Sequence, residues 1–245
     1  MAIKALLFDC DNTLVLSEEL AFEGCASLIN QICEVKGLNI PPFTGETLIK
    51  EFVGQNFRGM LLTLQKKHGM DLTADELEVY VKREEEVVIA KLKEALVPCE
   101  GVTEQLEELH KSGKYTMAVV SSSAGRRLEA SLDKVGFKKY FDDRVYSAAT
   151  SIDPPTSKPD PAIYLHAMKQ LGFEASECVA IEDSKSGTSS ACRAGIKTVG
   201  YVGPYEDSVK PEMEKTLKDV AGACIIMRNW AEFPDCLRKI EAGEV

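Results

Sequence analysis

Two aspartates, Asp9 and Asp11, follow a short apolar run near the amino terminus and are separated by one residue. The run from Ala5 to Phe8 has the length and composition of one buried strand, and turn-forming residues follow it. In an open α/β sheet, ligands bind at the edge formed by the carboxyl ends of the strands. The two carboxylates are therefore placed to line one pocket, although the same residues also suit a plain polar turn.

Further polar residues stand at the ends of two later apolar runs. Ser121 and Ser122 follow one run, and Glu182 and Asp183 follow the other. If the strands are parallel, these side chains meet Asp9 at one edge, where two carboxylates ~4 Å apart repel by about 4 kcal/mol at an effective dielectric near 20. Such a site needs a cation, and hard oxygen ligands with room for water favour Mg²⁺ over zinc or copper. The plainer interpretation of the Glu-Asp pair is a helix cap.

The first segment after the Asp9–Asp11 motif is a helical block, residues 16–96. It shows no strand pattern, and its apolar periodicity predicts four helices, at 17–36, 45–52, 57–68 and 73–96. Thr73 and Glu76 form a capping-box pattern at the start of the last helix. We therefore predict an all-helical cap domain inserted after the first strand.

From residue 97 onward, helical and strand patterns alternate, which predicts a parallel sheet covered by helices. Asp160 and Pro161 predict one helix start, with the aspartate as N-cap and the proline as the first helical residue. The predicted fold is α/β, with a doubly wound parallel-sheet core formed by residues 1–15 and 97–245.

Four pieces of the sequence, in this order, resemble the motifs of the haloacid dehalogenase superfamily: Phe8-Asp9-Cys10-Asp11-Asn12-Thr13-Leu14, Val120-Ser121-Ser122, Ser157-Lys158-Pro159 and Ile181-Glu182-Asp183-Ser184. Together they span nearly the whole chain. The inserted helical block resembles the cap of the phosphatase and β-phosphoglucomutase-like group of that superfamily, whose core is Rossmann-like.

The resemblance implies a role for each acidic residue. Asp9 is a phosphoryl-accepting nucleophile, and Asp11 is a general acid and base. Asp9 and Asp183 supply carboxylates to Mg²⁺, Asp11 supplies a backbone carbonyl, and Glu182 is a nearby carboxylate. Lys158, which would otherwise be interpreted as a solvated loop residue, balances the charge of Asp9 and of the phosphate.

Substrate contacts are expected from two places. Ser121, Ser122 and Lys158 can bind phosphoryl oxygens, and the N-terminus of the following helix would assist them. Ser121 is also predicted to be a catalytic residue. In the cap, Glu18 and Arg58, the latter in a loop that begins at Gly54, are candidates for binding the rest of the substrate. Their plainer interpretation is that of surface charges.

The sequence therefore predicts a Mg²⁺-dependent phosphatase that hydrolyses a small phosphorylated sugar or polyol through an aspartyl-phosphate. One alternative is a sugar-phosphate mutase of the same family, which carries a cap histidine where this chain has Ala21. The other is a non-catalytic phosphate-binding protein, which would be expected to lack Asp9 or Lys158. Leu16 departs from the aspartate that many members carry at the cap hinge.

Composition limits the other function classes. The 245 residues carry a net charge of -10 and are 44% hydrophobic, which suits a folded protein but disfavours nucleic acid and anionic membranes as partners. The eight cysteines are scattered without metal-site spacing, and no signal-like or membrane-spanning run is seen. We expect a monomeric cytoplasmic protein whose partner is a small phosphorylated substrate.

Overall fold

The computed structural model describes residues 2–52 and 55–245. The chain divides into two compact units. The core unit comprises the residues up to Leu16 together with Val97–Val245, and the helical unit is Ser17–Leu96. The Leu16 N–H donates a hydrogen bond to the Val97 carbonyl oxygen at 3.0 Å. The chain therefore leaves the core unit and re-enters it at adjacent positions.

The described part of the core unit contains a six-stranded parallel sheet, made of β1 (Ala5–Phe8), β2 (Thr116–Ser121), β3 (Val145–Ser147), β4 (Cys178–Glu182), β5 (Lys197–Tyr201) and β6 (Ile225–Met227). The strand order is β3-β2-β1-β4-β5-β6, and every neighbouring pair is parallel. Since β2 and β3 lie on one side of β1 and the later strands on the other, the order reverses between β1 and β4. This is the topological switch point at which open α/β sheets bind ligands, and the doubly wound fold is confirmed.

Helices account for most of the remaining described residues. The helical unit contains α1 (Glu18–Val35), α2 (Gly45–Glu51), α3 (Phe57–His68) and α4 (Ala74–Ala95). The core unit contains α5 (Val102–Ser112), α6 (Gly125–Lys134), α7 (Lys138–Phe141), α8 (Ala162–Leu171), α9 (Lys185–Arg193), α10 (Lys210–Lys215) and α11 (Phe233–Ala242). Short 3₁₀ helices lie at Ala175–Glu177 and Trp230–Glu232, and a π-helical turn lies at Thr216–Val220.

The helical unit is built from local signals in the sequence. The predicted capping box begins α4: the Thr73 hydroxyl accepts from the Glu76 N–H at 3.2 Å, and the Glu76 carboxylate accepts from the Thr73 N–H at 2.9 Å. Gly24 lets α1 lie close to α4, because a Cβ atom there would be 3.3 Å from a Val88 methyl group. None of the described helices combines the length and the apolar character that crossing a membrane would require.

Both faces of the sheet are covered, which explains why β1 is apolar at every position. Successive side chains of a strand point to opposite faces. Leu7 joins a cluster with residues of α8 and α9, such as Ile163 and Ala191. The ring of Phe8 packs on the other face, with centroid distances of 5.9, 6.2 and 6.4 Å to Phe141, Trp230 and Phe233. Each such fully buried side chain contributes about 1.5–3 kcal/mol of hydrophobic stabilisation.

The start of α8 differs by one residue from the predicted position. The helix begins at Ala162, and Pro161 takes the N-cap position that was predicted for Asp160. The Asp160 carboxylate nevertheless accepts the Ala162 N–H at 2.8 Å. The aspartate thus caps the helix from one position further upstream.

Candidate active site

The sheet register brings the predicted residues to one edge. Phe8, the last residue of β1, is level with Val119 in β2 and Ile181 in β4. The next residue, Asp9, donates its N–H to the Ile181 carbonyl oxygen at 3.0 Å, so the hydrogen-bond ladder continues as far as Asp9. Asp9 and Glu182 therefore flank the switch point from its two sides.

A tight turn carries Asp11 past the end of β1. The Cys10 carbonyl oxygen accepts the N–H groups of Leu14 and Val15 at 2.9 and 3.2 Å. Asn12 adopts a φ of 54°, in the left-handed region that asparagine tolerates better than most residues. These backbone hydrogen bonds therefore hold the turn, and with it the backbone of Asp11, in one conformation.

Lys158 bridges the two sides of the switch point. Its buried ammonium group contacts Asp9 Oδ1 at 2.6 Å, Glu182 Oε1 at 2.6 Å and the Val120 carbonyl oxygen at 2.7 Å. An ammonium group has three N–H donors, so these three acceptors use all of them. The Lys158 N–H also donates to the Ser122 hydroxyl at 3.1 Å. The lysine is therefore held in one position.

Burial dominates the protonation of this site. It raises the pKa of Asp9 above its ordinary value, against the attraction of Lys158. It also raises the pKa of Glu182, to about 7. Burial alone would lower the pKa of Lys158, but the charges of Asp9 and Glu182 outweigh it and raise that pKa. The lysine thus stays charged, and additional positive charge at this site would favour the ionised form of both carboxyl groups.

Three buried carboxyl groups in the described residues lie close enough together that they could hold a metal ion. Asp9, Glu182 and Asp183 each place one oxygen within 4.8 Å of the others, and one lysine cannot neutralise three carboxylates. Glu182 Oε2 is buried without a hydrogen-bond partner among the described residues, which is costly unless a cation or its water approaches. The Thr13 hydroxyl donates to Asp183 Oδ1 at 3.4 Å. A set made only of oxygen atoms fits Mg²⁺ better than zinc or copper.

The position of Glu182 depends on two residues that the sequence analysis did not identify. The Tyr164 hydroxyl donates a short hydrogen bond to Glu182 Oε1. Gly187, in the first turn of α9, leaves the space that the carboxyl group fills. A Cβ atom at Gly187 would lie 2.7 Å from Glu182 Oε1 and would overlap the rest of that carboxyl group. The glutamate is therefore held between a tyrosine hydroxyl and a glycine.

The three consecutive serines that begin with the last residue of β2 have three different partners. The Ser121 hydroxyl accepts the Ser123 N–H at 3.0 Å, and the Ser122 hydroxyl accepts the Lys158 N–H. The Ser123 hydroxyl donates to Asp11 Oδ2 at 2.6 Å. The loop is thus connected to both the lysine and the second aspartate.

The family model of haloacid dehalogenase-like hydrolases matches residues 6–201. The chain belongs to this family. It is 29% identical to the 6-phosphogluconate phosphatase of Escherichia coli K12 over 80% of each chain. It is 32% identical to the phosphorylated carbohydrates phosphatase of Thermotoga maritima, over 80% of this chain and 84% of that protein. A haloacid dehalogenase-like protein from Agrobacterium tumefaciens has the same fold, with a TM-score of 0.75 at 26% identity, covering 98% of this chain and 99% of the other.

In this haloacid dehalogenase-like hydrolase, the candidate cap residues lie in the helical unit. Glu18 is the exposed first residue of α1. Arg58, in the first turn of α3, makes a bidentate ion pair with Glu78 at 2.6 and 2.8 Å. Gly54, the start of the loop proposed to approach the substrate, lies outside the described residues.

Three residues of the candidate site were not predicted from the sequence, for different reasons. Tyr164 lies within the apolar pattern of α8 and belongs to none of the motifs, so the sequence gives no sign of its contact with Glu182. Ser123 looks like its two neighbours, since only the fold shows which serine reaches Asp11. Gly187 did carry a signal, because glycine in a helix interior costs about 1 kcal/mol relative to alanine and indicates a packing reason.

Proposed function

We propose that this hydrolase is a Mg²⁺-dependent phosphatase acting on a small phosphorylated metabolite, a sugar or polyol phosphate, through an aspartyl-phosphate intermediate. The observation that carries the proposal is the buried Asp9 carboxylate, held 2.6 Å from the Lys158 ammonium at the switch point, with Asp11 two residues further on. The two relatives that are named as phosphatases of phosphorylated carbohydrates support this substrate class.

The proposed reaction has two displacements at phosphorus. In the first, an Asp9 carboxylate oxygen attacks the phosphorus atom while the bond to the alcohol oxygen breaks, and Asp11 gives its proton to that oxygen. In the second, Asp11 takes a proton from water, whose oxygen attacks the same phosphorus. The bond to Asp9 then breaks, which releases inorganic phosphate and restores the carboxylate.

The surrounding residues stabilise charge during both displacements. Lys158 stays positively charged beside Asp9 and offsets negative charge on the phosphoryl oxygens. Ser121 and Ser122 would orient those oxygens at the start of α6. Mg²⁺, held by Asp9 and Asp183 with the Asp11 carbonyl and Glu182 nearby, would supply further charge stabilisation.

The helical unit, Ser17–Leu96, is proposed to act as the cap that recognises the rest of the substrate. The core site contains groups suited to a phosphoryl group, so discrimination among metabolites must come from residues outside it. Glu18 and Arg58 remain the candidates on this unit. The match to the family model extends over residues 6–201, which include this segment.

The test is Asp9→Asn, measured as phosphate release over a panel of sugar and polyol phosphates. The change is nearly isosteric but removes the nucleophile, so turnover should fall to background while the thermal melt stays cooperative. Mass spectrometry of acid-quenched wild type should show a phosphoryl adduct at Asp9. Asp133→Asn, at an exposed position of α6, is the matched control and should keep full activity.

Two outcomes would contradict the proposal. Near wild-type turnover by Asp9→Asn would exclude the covalent route. Conversion of glucose 1-phosphate to glucose 6-phosphate in the presence of a bisphosphate activator, instead of release of phosphate, would favour the mutase alternative despite Ala21.

A further inference from the structure

The second aspartate, Asp11, accepts a hydrogen bond from a residue that belongs to none of the motifs. The Ser123 hydroxyl donates to Asp11 Oδ2 at 2.6 Å, and the two residues are 112 positions apart in sequence. Both are half-buried, so bulk water competes with this bond less than it does on an open surface. Charge-assisted hydrogen bonds from a hydroxyl to a carboxylate are typically about 2.5–2.7 Å long, and this distance lies in that range.

Ser123 is itself held from both sides. Its N–H donates to the Ser121 hydroxyl at 3.0 Å, and its carbonyl oxygen accepts the Ser147 hydroxyl at 2.7 Å. Ser147, at the end of β3, receives the Thr150 N–H on its hydroxyl at 3.2 Å and donates its own N–H to Ser151 at 2.8 Å. The backbone of Ser123 is therefore held by hydrogen bonds to the last residues of two strands, β2 and β3, and the position of its hydroxyl follows from this.

We propose that Ser123 is a positioning residue that sets the orientation of the Asp11 carboxyl group for proton transfer. This inference rests on the proposed function, in which Asp11 is the general acid and base. The terminal torsion of an aspartate is broad, so a carboxyl group on a fixed backbone still rotates unless a partner holds it. The backbone turn fixes where Asp11 stands, and Ser123 fixes which way its oxygens face.

The three serine hydroxyls have different partners, and this difference supports the assignment. Ser122 contacts the Lys158 backbone, and Ser121 contacts the Ser123 backbone, so both hydroxyls organise the loop. Ser123 alone among these three has a hydrogen bond from its side chain to a carboxylate that the proposed reaction uses. Its loss should therefore affect the proton-transfer step more than binding of the phosphoryl group.

The first test is Ser123→Ala, assayed with an alkyl phosphate and an aryl phosphate. A misplaced general acid and base should lower kcat for the alkyl phosphate by about tenfold or more, from the loss of one hydrogen bond to a charged group. The aryl phosphate, whose leaving group needs little protonation, should lose less, and KM should change by less than about twofold. Ser123→Thr retains the hydroxyl and should restore most of the kcat.

Ser112→Ala is the matched control, because it also deletes one hydroxyl that donates a 2.7 Å hydrogen bond, to the Leu109 carbonyl oxygen. This variant should keep wild-type kcat and KM with both substrates. Ser147→Ala is a second probe that keeps the Ser123 hydroxyl and removes only the support of its carbonyl. It should lower kcat by a smaller factor with the same dependence on leaving group. Wild-type kinetics for Ser147→Ala would exclude any contribution of that support.

A double-mutant cycle with Asp11→Asn separates this inference from the proposed function. If Ser123 acts through Asp11, adding Ser123→Ala to Asp11→Asn should cause no further loss of kcat. An equal additional loss in that background, or a loss expressed mainly in KM, would overturn the inference and place Ser123 on the substrate. Wild-type kinetics for Ser123→Ala beside an impaired Asp11→Asn would overturn only the inference. An active Asp11→Asn would overturn the acid and base assignment itself.

Discussion

Gly187→Ala tests how the site is built without touching any residue that reacts. In a helix, this change normally stabilises, by about 1 kcal/mol, because alanine has the higher helix propensity. Here the added Cβ atom would overlap the Glu182 carboxyl group, coming within 2.7 Å of Oε1 and closer to its other atoms. The carboxyl group must move, or the first turn of α9 must shift away from it.

The expected loss of stability follows from the contacts that the Glu182 carboxyl group would lose. Its Oε1 holds the Lys158 ammonium at 2.6 Å and also accepts from Tyr164, and all three side chains are buried. Breaking a buried ion pair on one side typically costs about 3–5 kcal/mol. After the gain in helix propensity, we expect a net loss of about 2–4 kcal/mol in the free energy of unfolding, equivalent to a fall in Tm of roughly 5–15 °C. A lysine displaced by about 1 Å should lower kcat by about 10²-fold.

The assay combines thermal denaturation with phosphate release at saturating substrate. Gly59→Ala, inside α3, is the matched control, since its Cβ atom would come no closer than 3.3 Å, to the flexible Gln55 side chain. It should raise Tm slightly or leave it unchanged. Glu182→Asp in the Gly187→Ala background shortens the carboxylate side chain and should recover part of the lost Tm. The reasoning is refuted if Gly187→Ala behaves like Gly59→Ala in both stability and activity.

Three further predictions concern the same site and the helical unit. Tyr164→Phe removes the hydroxyl that Glu182 accepts, so the free energy of unfolding should fall by about 1–3 kcal/mol in chemical denaturation; an unchanged value would show that this bond contributes nothing. Chelation should abolish phosphate release and Mg²⁺ should restore it, and full activity in excess EDTA would contradict the metal assignment. Glu18→Ala and Arg58→Ala should raise KM or lower kcat for the preferred metabolite but hardly for an aryl phosphate. Glu78→Ala, which breaks the same ion pair but keeps the arginine, is the control, and unchanged selectivity in the first two variants would place specificity elsewhere.

The elements that the sequence predicted well are those with strong local signals. The apolar run Ala5–Phe8 is β1 at the predicted bounds, and α3 extends over the predicted residues Phe57–His68. The capping box at Thr73 and Glu76 forms as expected. In each case the local preference and the tertiary environment agree, so periodicity and capping were sufficient.

The segment between β5 and β6 was not predicted. It contains α10 and the π-helical turn Thr216–Val220, which begin among charged residues and Pro211 without a clear apolar period. Leu217 is nevertheless fully buried, against Gly200 of β5. Leu217 also packs in a buried cluster with Val202 and Ala223. Such packing joins separate parts of the chain, and periodicity over a window of residues cannot reveal it.

In the candidate site, too, the features set by neighbouring residues were predictable from the sequence, and the contacts between distant residues were not. The spacing of Asp9 and Asp11 and their place after a strand are local properties, readable from the sequence. The three acceptors around Lys158 lie directly after β1, in β2 and in β4, and these strands are far apart in the chain. The contact between Ser123 and Asp11 likewise depends on the pairing of β1 with β2. Such contacts exist only once the sheet has formed.

The hydrogen bond between Leu16 and Val97 has a consequence for protein engineering. The backbone bridge between Val15 and Pro98 and this 3.0 Å bond place the two ends of the inserted segment side by side. Insertions whose ends lie close together can be exchanged with little strain on the host, because the junction itself needs no rearrangement. Residues Leu16 and Val97 are therefore natural crossover points for recombining this core unit with the inserted segments of other family members, and each chimera would keep the candidate site of the core unit.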